Sequence, residues 1–358
     1  MTNRLPVGVG VAFAAAALFG ASTPFAKLLL GEVSPLLLAA LLYLGSGIGL
    51  SVVRLTRRSQ NIAGVGEAAL PHSQWPWLAG AVVFGGALGP VLLMLGLQTT
   101  SASTSSLLLN LEGVFTALLA WFLFRENFDN RIALGMIFIV TGGLFLSWHP
   151  GGNVSISTGA LYVAGACLCW GIDNNLTQKV SSSDPFYIAA VKGLVAGCAN
   201  LAIALSLGQS LPAWPVVCGA LIVGFFGYGL SLVCFVLALR HIGTARTGAY
   251  FSLAPFVGAS VSLLALHETV TNAFWIAALL MGMGVWLHLT ERHAHQHAHQ
   301  RMEHTHPHVH DEHHQHRHAE GINPDEPHTH SHIHEPLKHS HSHFPDIHHR
   351  HDHEYLET

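Results

Sequence analysis

Glu112, Asp173 and Lys192 are ionisable residues set inside long runs of apolar ones. An Asp, Lys or Arg at the centre of a membrane helix costs about 2.5–3.5 kcal/mol on insertion scales, so each such residue needs a reason. A carboxylate at 112 can hold a cationic group or carry a proton; its structural alternative is a neutral carboxyl hydrogen-bonded between helices. The Lys192 ammonium can face a cavity and bind an anionic group such as a carboxylate, or snorkel along its alkyl stem to the membrane surface. Asp173, followed by Asn174 and Asn175, can contact a solute or pair with Lys192. Trp170, Tyr228 and Tyr250 are candidate cavity aromatics, with packing or an interfacial belt as the alternative. Lys27, near the end of the first apolar run, reads as a snorkelling residue. Pro24, Pro90 and Pro255 fall inside apolar runs, where each frees a backbone carbonyl that needs another partner. Gly85, Gly86 and Gly89, matched by Gly227 and Gly229, allow close helix approach and bending.

A second chemistry sits at the C-terminal end. Of 28 histidines, 23 follow Thr290, many at alternate positions. His304, His306, His308 and His310 form one such run, and His328, His330, His332 and His334 another. Neutral imidazole is a good ligand for Zn, Ni, Co or Cu ions, so the segment is a candidate metal binder of unspecified selectivity. Its charge, its prolines and its scarcity of large apolar residues predict a disordered tail over 291–358. Three readings of this tail stay open: an appendage with incidental metal binding, a metal buffer or sensor, and an antenna for a metal carrier.

The elements that must position these groups follow from hydropathy. Half of the residues are hydrophobic and 10% are charged, against a usual charged share of about 25%. Apolar segments of spanning length recur near 5–30, 35–54, 77–97, 103–124, 131–148, 158–178, 185–207, 213–239, 246–266 and 272–290. Each is long enough for a hydrocarbon core about 30 Å thick, and helices satisfy their own backbone groups there. The Lys and Arg residues outside these segments fall in alternate connections: Arg4; Arg54, Arg57 and Arg58; Arg125 and Arg131; Lys179; Arg240 and Arg246; and five in the tail. The intervening connections hold none. Lys/Arg-rich loops face the cytoplasm, which predicts ten spans with both termini inside. The five cysteines, Cys167, Cys169, Cys198, Cys218 and Cys234, lie in apolar runs and read as small packing residues.

The second half of the body repeats the first. Ser34-Pro35, Ala39-Ala40 and Gly47 match Asp184-Pro185, Ala189-Ala190 and Gly197 at an offset of 150, and Leu97–Phe128 lies over Leu239–Val270 at an offset of 142. Five spans per copy is an odd number, so the second copy inserts upside down, as in carriers that alternate access around a midplane site. Glu112 has Ala254 as its counterpart and Lys192 has Leu42, an asymmetry that favours site roles. The run Leu111-Glu112-Gly113-Val114-Phe115-Thr116-Ala117 to Phe124-Arg125-Glu126, with Cys169–Asn175 and Lys192–Gly197, resembles the EamA-like family of drug/metabolite transporters. One departure is Gly113, where the family often has proline; the second copy keeps Pro255. The resemblance implies a ten-helix carrier in the cytoplasmic membrane, often exporting amino acids, metabolites or drugs.

The expectation is therefore an all-α membrane protein: a first five-helix repeat over 1–148, a second, inverted one over 149–290, and the His-rich tail. Its partners are the lipid bilayer, a small-molecule solute and, at the tail, metal ions; a homodimer is compatible with the sequence. Neither the body nor the tail has the basic face that nucleic acid requires. No Gly-Lys-Ser/Thr phosphate loop is present, no enzyme chemistry is legible, and no cofactor is required. The leading function is secondary export of small metabolites, with transition-metal efflux or a membrane-anchored metal buffer as alternatives.

Overall fold

With few charges and no continuous polar face, the apolar segments have one way to satisfy their backbones away from water, and they form helices. The structure, a computed structural model, describes residues 7–59, 70–124, 130–147, 157–180, 183–290, 294–298, 302–308, 328–334 and 338–342. The helices are α1 (Val7–Leu29), α2 (Pro35–Ser59), α3 (Trp75–Ala81), α4 (Gly89–Thr99), α5 (Ala102–Leu108), α6 (Leu111–Phe124) and α7 (Asn130–Ser147), then α8 (Thr158–Val180), α9 (Pro185–Ser206), α10 (Trp214–Gly224), α11 (Ser231–Phe251), α12 (Ala254–Ala265) and α13 (Asn272–Leu289). Among the described residues, seven helical runs are long and apolar enough to cross a membrane: 8–29, 35–56, 72–99, 102–122, 130–147, 185–206 and 214–238. The other three expected segments are helical too. They are α8, whose last turns carry Asp173, Asn174, Asn175 and Gln178, the short α12, and α13.

Helix pairs recur at the spacing of the sequence repeat. α1 packs on α11 and α12, while α8 packs on α4 and α6; α2 packs on α9, and α7 on α13. The α2–α9 contact is tight enough to need glycine. A Cβ on Gly193 would stand 2.5 Å from the backbone nitrogen of Gly47, which no side chain tolerates. Two π-helical segments, Val82–Leu88 between α3 and α4 and Phe225–Leu230 between α10 and α11, also fall at matching places about 142 residues apart.

Two spanning segments are broken in the middle. Leu109 and Asn110 separate α5 from α6, and Ser252 and Leu253 separate α11 from α12. At the second break the cause is Pro255, which has no N–H to offer the carbonyl of Phe251. The connection expected around 240–245 is instead helical, as part of α11. At the first break the Asn110 side chain competes with the helix, its Nδ2 donating to the Leu107 carbonyl at 3.0 Å.

Charged side chains seal helix ends at one end of the bundle. Lys27 is partly exposed near the end of α1. Its Nζ donates to the carbonyls of Leu97 and, at 3.0 Å, Thr100, at the negative end of α4. Glu268 accepts from the backbone N–H groups of Ala102 and Ser103, both at 2.8 Å, and so caps α5. At the other end Asp184 caps α9 and accepts from Arg54 Nε at 3.0 Å. The cysteines are free thiols among the described residues, and Cys167 Sγ donates to the Leu108 carbonyl.

Of the tail, residues 294–298, 302–308, 328–334 and 338–342 are described, and these form two antiparallel pairs. Ala294–Ala298 pairs antiparallel with Lys338–Ser342, and Met302–His308 pairs antiparallel with His328–His334. Alternating histidine is a period-two pattern, and period two is the repeat of a strand, which gives the physical reason. Arg4, Arg125, Glu126 and His310 lie outside the described residues.

Candidate functional site

The site grows from the first π-helical segment. Its wider turn directs the Gly89 N–H to the carbonyl of Phe84, so the Gly85 carbonyl would next look to residue 90, which is a proline. Gly85 O is thus left to side chains. Tyr43 OH donates to it at 2.6 Å and Trp170 Nε1 at 3.1 Å. These bonds tie α2 and α8 to the bend. Gly85 also lies directly against Asp173, where a Cβ would have no room.

One turn along α8 from Trp170, Asp173 forms an ion pair with Lys192 of α9. Both are buried, with 6% and 3% of their surface exposed, and Thr177 Oγ1 donates to Asp173 Oδ1 at 3.0 Å. Of the arrangements open for Lys192, the structure shows the pair with Asp173, at the wall of the smaller cavity. A pair this deep repays its desolvation only through such added hydrogen bonds.

Glu112 lies in the first turn of α6, two residues beyond the α5–α6 break. Its Oε1 accepts from Asn174 Nδ2 at 2.8 Å, and the same amide reaches Thr116 Oγ1 at 3.2 Å. Asn175 bonds the carbonyls of Gly171 and Thr116 and fixes α8 against α6. Among the described residues Glu112 forms no ion pair. The helix N-terminus beneath it favours a negative charge.

Two neighbouring cavities, of about 270 Å³ and about 70 Å³, meet at Glu112, Asn174, Phe19, Phe235 and Phe251. The larger is bordered by both helix breaks, through Leu109 and Asn110 on one side and Ser252, Ala254 and Pro255 on the other, and extends to Gln178, Ile132 and His288. The smaller holds Trp170, Tyr228, Tyr43 and the Asp173–Lys192 pair. Glu112, Asp173, Asn174, Asn175, Lys192, Trp170 and Tyr228 thus line the two cavities. Tyr250 does not: its ring packs on Phe13 at 5.0 Å, while the next residue, Phe251, faces the cavities, as the 100° step of a helix requires. Phe19, Tyr43, Asn110, Thr116 and His288 were not singled out. The sequence signal available for Asn110 is an amide side chain inside an apolar run; Phe19 carries none.

The arrangement is an apolar and aromatic chamber with one carboxylate that lacks a charged partner. The EamA-like transporter family model matches the chain over residues 6–148 and again over 157–290. The chain belongs to the EamA-like transporter family. It is a multi-pass membrane protein and a transporter in the general sense of that family. An uncharacterized transporter of Methanothermobacter thermautotrophicus is 30% identical over 283 residues, covering 75% of this chain and 82% of the relative. An uncharacterized transporter of Bacillus subtilis, YvbV, is 24% identical over 77% of this chain and 90% of its own length. A shorter likeness, 38% identity over 78 residues, links 22% of this EamA-like chain to 66% of the probable 4-amino-4-deoxy-L-arabinose-phosphoundecaprenol flippase subunit ArnE of Pseudomonas fluorescens. A solved crystal structure 16% identical in sequence superposes with a TM-score of 0.58 over 78% of this chain and 95% of its own.

Proposed function

We propose that this EamA-like protein is a secondary carrier that exports small organic solutes bearing a cationic nitrogen on an apolar body. The observation that carries the reading is Glu112. It is a carboxylate without a charged partner among the described residues, in a chamber whose other walls are largely apolar and aromatic, while the one nearby ammonium is already held by Asp173. A cation there gains an opposite charge and buries its apolar part against Phe19, Phe235, Phe251 and Pro255. The amino group in the name of the partial relative, a probable 4-amino-4-deoxy-L-arabinose-phosphoundecaprenol flippase subunit, agrees with this class of cargo.

Alternating access is supported by the two matches of the family model, by the paired helix breaks and π-helical segments, and by the recurring helix pairs. On this reading the body is ten spans in two inverted sets, over 1–148 and 149–290, with both termini in the cytoplasm. The larger cavity reaches toward His288, Ile132 and Gln178, at the helix ends that the Lys/Arg pattern assigns to the cytoplasm, where an exported solute enters. The ends sealed by Lys27 and Glu268 are then the closed, outer ones. A proton exchanged on Glu112 is the simplest source of drive. Proteoliposomes carrying wild type should take up phenethylamine faster when a pH gradient is imposed, and Glu112→Gln should lose that response. Equal pH-driven uptake by the two proteins sinks the coupling role.

The tail supports a second, separable activity. Its register sets His304 opposite His332, His306 opposite His330 and His308 opposite His328, and in the other ladder His295 opposite His341 and His297 opposite His339. Residues directly opposite in an antiparallel pair have Cβ atoms about 4.5–5.5 Å apart, a separation at which two imidazoles can share one metal ion. The tail is read as a cytoplasmic binder of Zn, Ni, Co or Cu. Equilibrium dialysis of the full chain against zinc, beside a chain lacking 291–358, tests it; equal zinc uptake by both removes the assignment.

A further inference from the structure

Gly113 and Gly248 both line the larger cavity, one from α6 beside Glu112 in the chain and one from α11. Neither has the usual structural reason for glycine. At many glycines of the body another chain segment passes close by: a Cβ on Gly20, Gly45 or Gly193 would come to within 2.5 Å of a neighbour's backbone. Gly208 needs its freedom for a φ of +77°. At Gly113 and Gly248 a Cβ would meet nothing within 4 Å among the described residues, and neither has a positive φ. Both lie inside helices, where glycine is weaker than alanine because it has more backbone freedom to lose. The open space at each is therefore not used to pack the protein, and it belongs to the cavity that both residues line. The internal repeat sharpens the point. Pro255, the counterpart of Gly113 at the offset of 142, lines the same cavity and carries a ring at the matching place, where Gly113 has no side chain.

We propose that Gly113 and Gly248 are the size-determining residues of the cargo site: the room left by their missing side chains holds the apolar body of the solute, so the carrier takes amines whose apolar body exceeds a single aromatic ring. The inference rests on the amine reading of the cavity. Glu112 supplies the charge, and charge does not discriminate by bulk. Bulk is set by how much wall stands near the carboxylate, and Gly113, the next residue, leaves that wall bare. A larger apolar body that fits the space is held more tightly, because more of its surface leaves water. A side chain grown from either glycine takes up that space, and the larger body is rejected first.

The test measures binding of phenethylamine and of its naphthyl analogue to the full-length protein in detergent by calorimetry, and reads the ratio of the two affinities. Wild type should bind the naphthyl amine about tenfold more tightly, from its larger apolar area. Gly113→Val and Gly248→Val should each bring that ratio down to about one or below. Gly113→Ala and Gly248→Ala, whose methyl favours the helix, should each lower it about threefold, and they serve where a valine variant fails to fold. Gly10→Val is the control: Gly10 is equally open but is not part of the cavity wall, so its substitution should leave the ratio unchanged. A wild-type ratio near one, a ratio undiminished in the variants of either cavity glycine, or an equal fall in Gly10→Val overturns the size assignment and leaves the amine reading standing. Binding of neither probe overturns both.

Discussion

Removing one member of the Asp173–Lys192 pair should be far more damaging than removing both. The two groups are 6% and 3% exposed and bridge α8 to α9 beside the smaller cavity. Replacing Lys192 by Met strips the carboxylate of its charge partner and leaves it Thr177, whose hydroxyl donates at 3.0 Å. Breaking a buried pair in this way costs about 3–5 kcal/mol. The remaining hydrogen bond and the adjoining cavity, which can admit water, place this case near the lower end, at about 3 kcal/mol. Asp173→Asn alone leaves a buried ammonium and should cost a similar amount. The double variant has neither charge and keeps the Thr177 bond to an amide oxygen, so it should recover a coupling energy of about 2 kcal/mol. Reversible unfolding of the four proteins in mixed micelles, followed by tryptophan fluorescence, gives the cycle. A coupling near zero, or a Lys192→Met protein within about 0.5 kcal/mol of wild type, would refute the view that the pair is structural and that Glu112 is the carboxylate left for cargo.

Other outcomes follow from the same geometry. Glu268→Ala leaves the Ala102 and Ser103 N–H groups without their acceptor and should cost about 0.5–2 kcal/mol in the same unfolding assay, with Glu268→Gln costing less. Gly193→Ala places a methyl against the Gly47 backbone and should destabilise by about 1–3 kcal/mol; Gly208→Ala, where a Cβ meets no neighbour but φ is +77°, should cost about 1–2 kcal/mol by strain alone. Deleting 291–358 should leave phenethylamine transport intact. In the full chain, zinc retention should fall as pH drops through about 6.5, because a metal-bound imidazole must be neutral and protons compete for the same nitrogen.

Much of this molecule is legible without its structure because partitioning into a membrane is a local property. Runs of apolar residues, the alternation of Arg and Lys between them, and the spacing of Glu112, Asp173 and Lys192 within them are read residue by residue. They identify a helical membrane protein and the groups that need a reason to be there. The self-similarity at 142 and 150 residues is equally a matter of sequence, and the matching π-helical segments and helix breaks lie where it places them. What a buried charge is bonded to is a different kind of question. Asn174 reaches Glu112 across 62 residues and Lys27 reaches Leu97 across 70, and no local preference encodes either meeting. Only the packing of α8 between α4 and α6, and of α9 on α2, decides that Lys192 is spent on Asp173 and Glu112 is not. Only the breaks at Leu109–Asn110 and Ser252–Leu253 bring residues from distant parts of the chain to the wall of the larger cavity. Hydropathy places a group at a depth in the membrane; whether it faces a partner, a lipid or a cavity depends on helices that meet from distant parts of the chain.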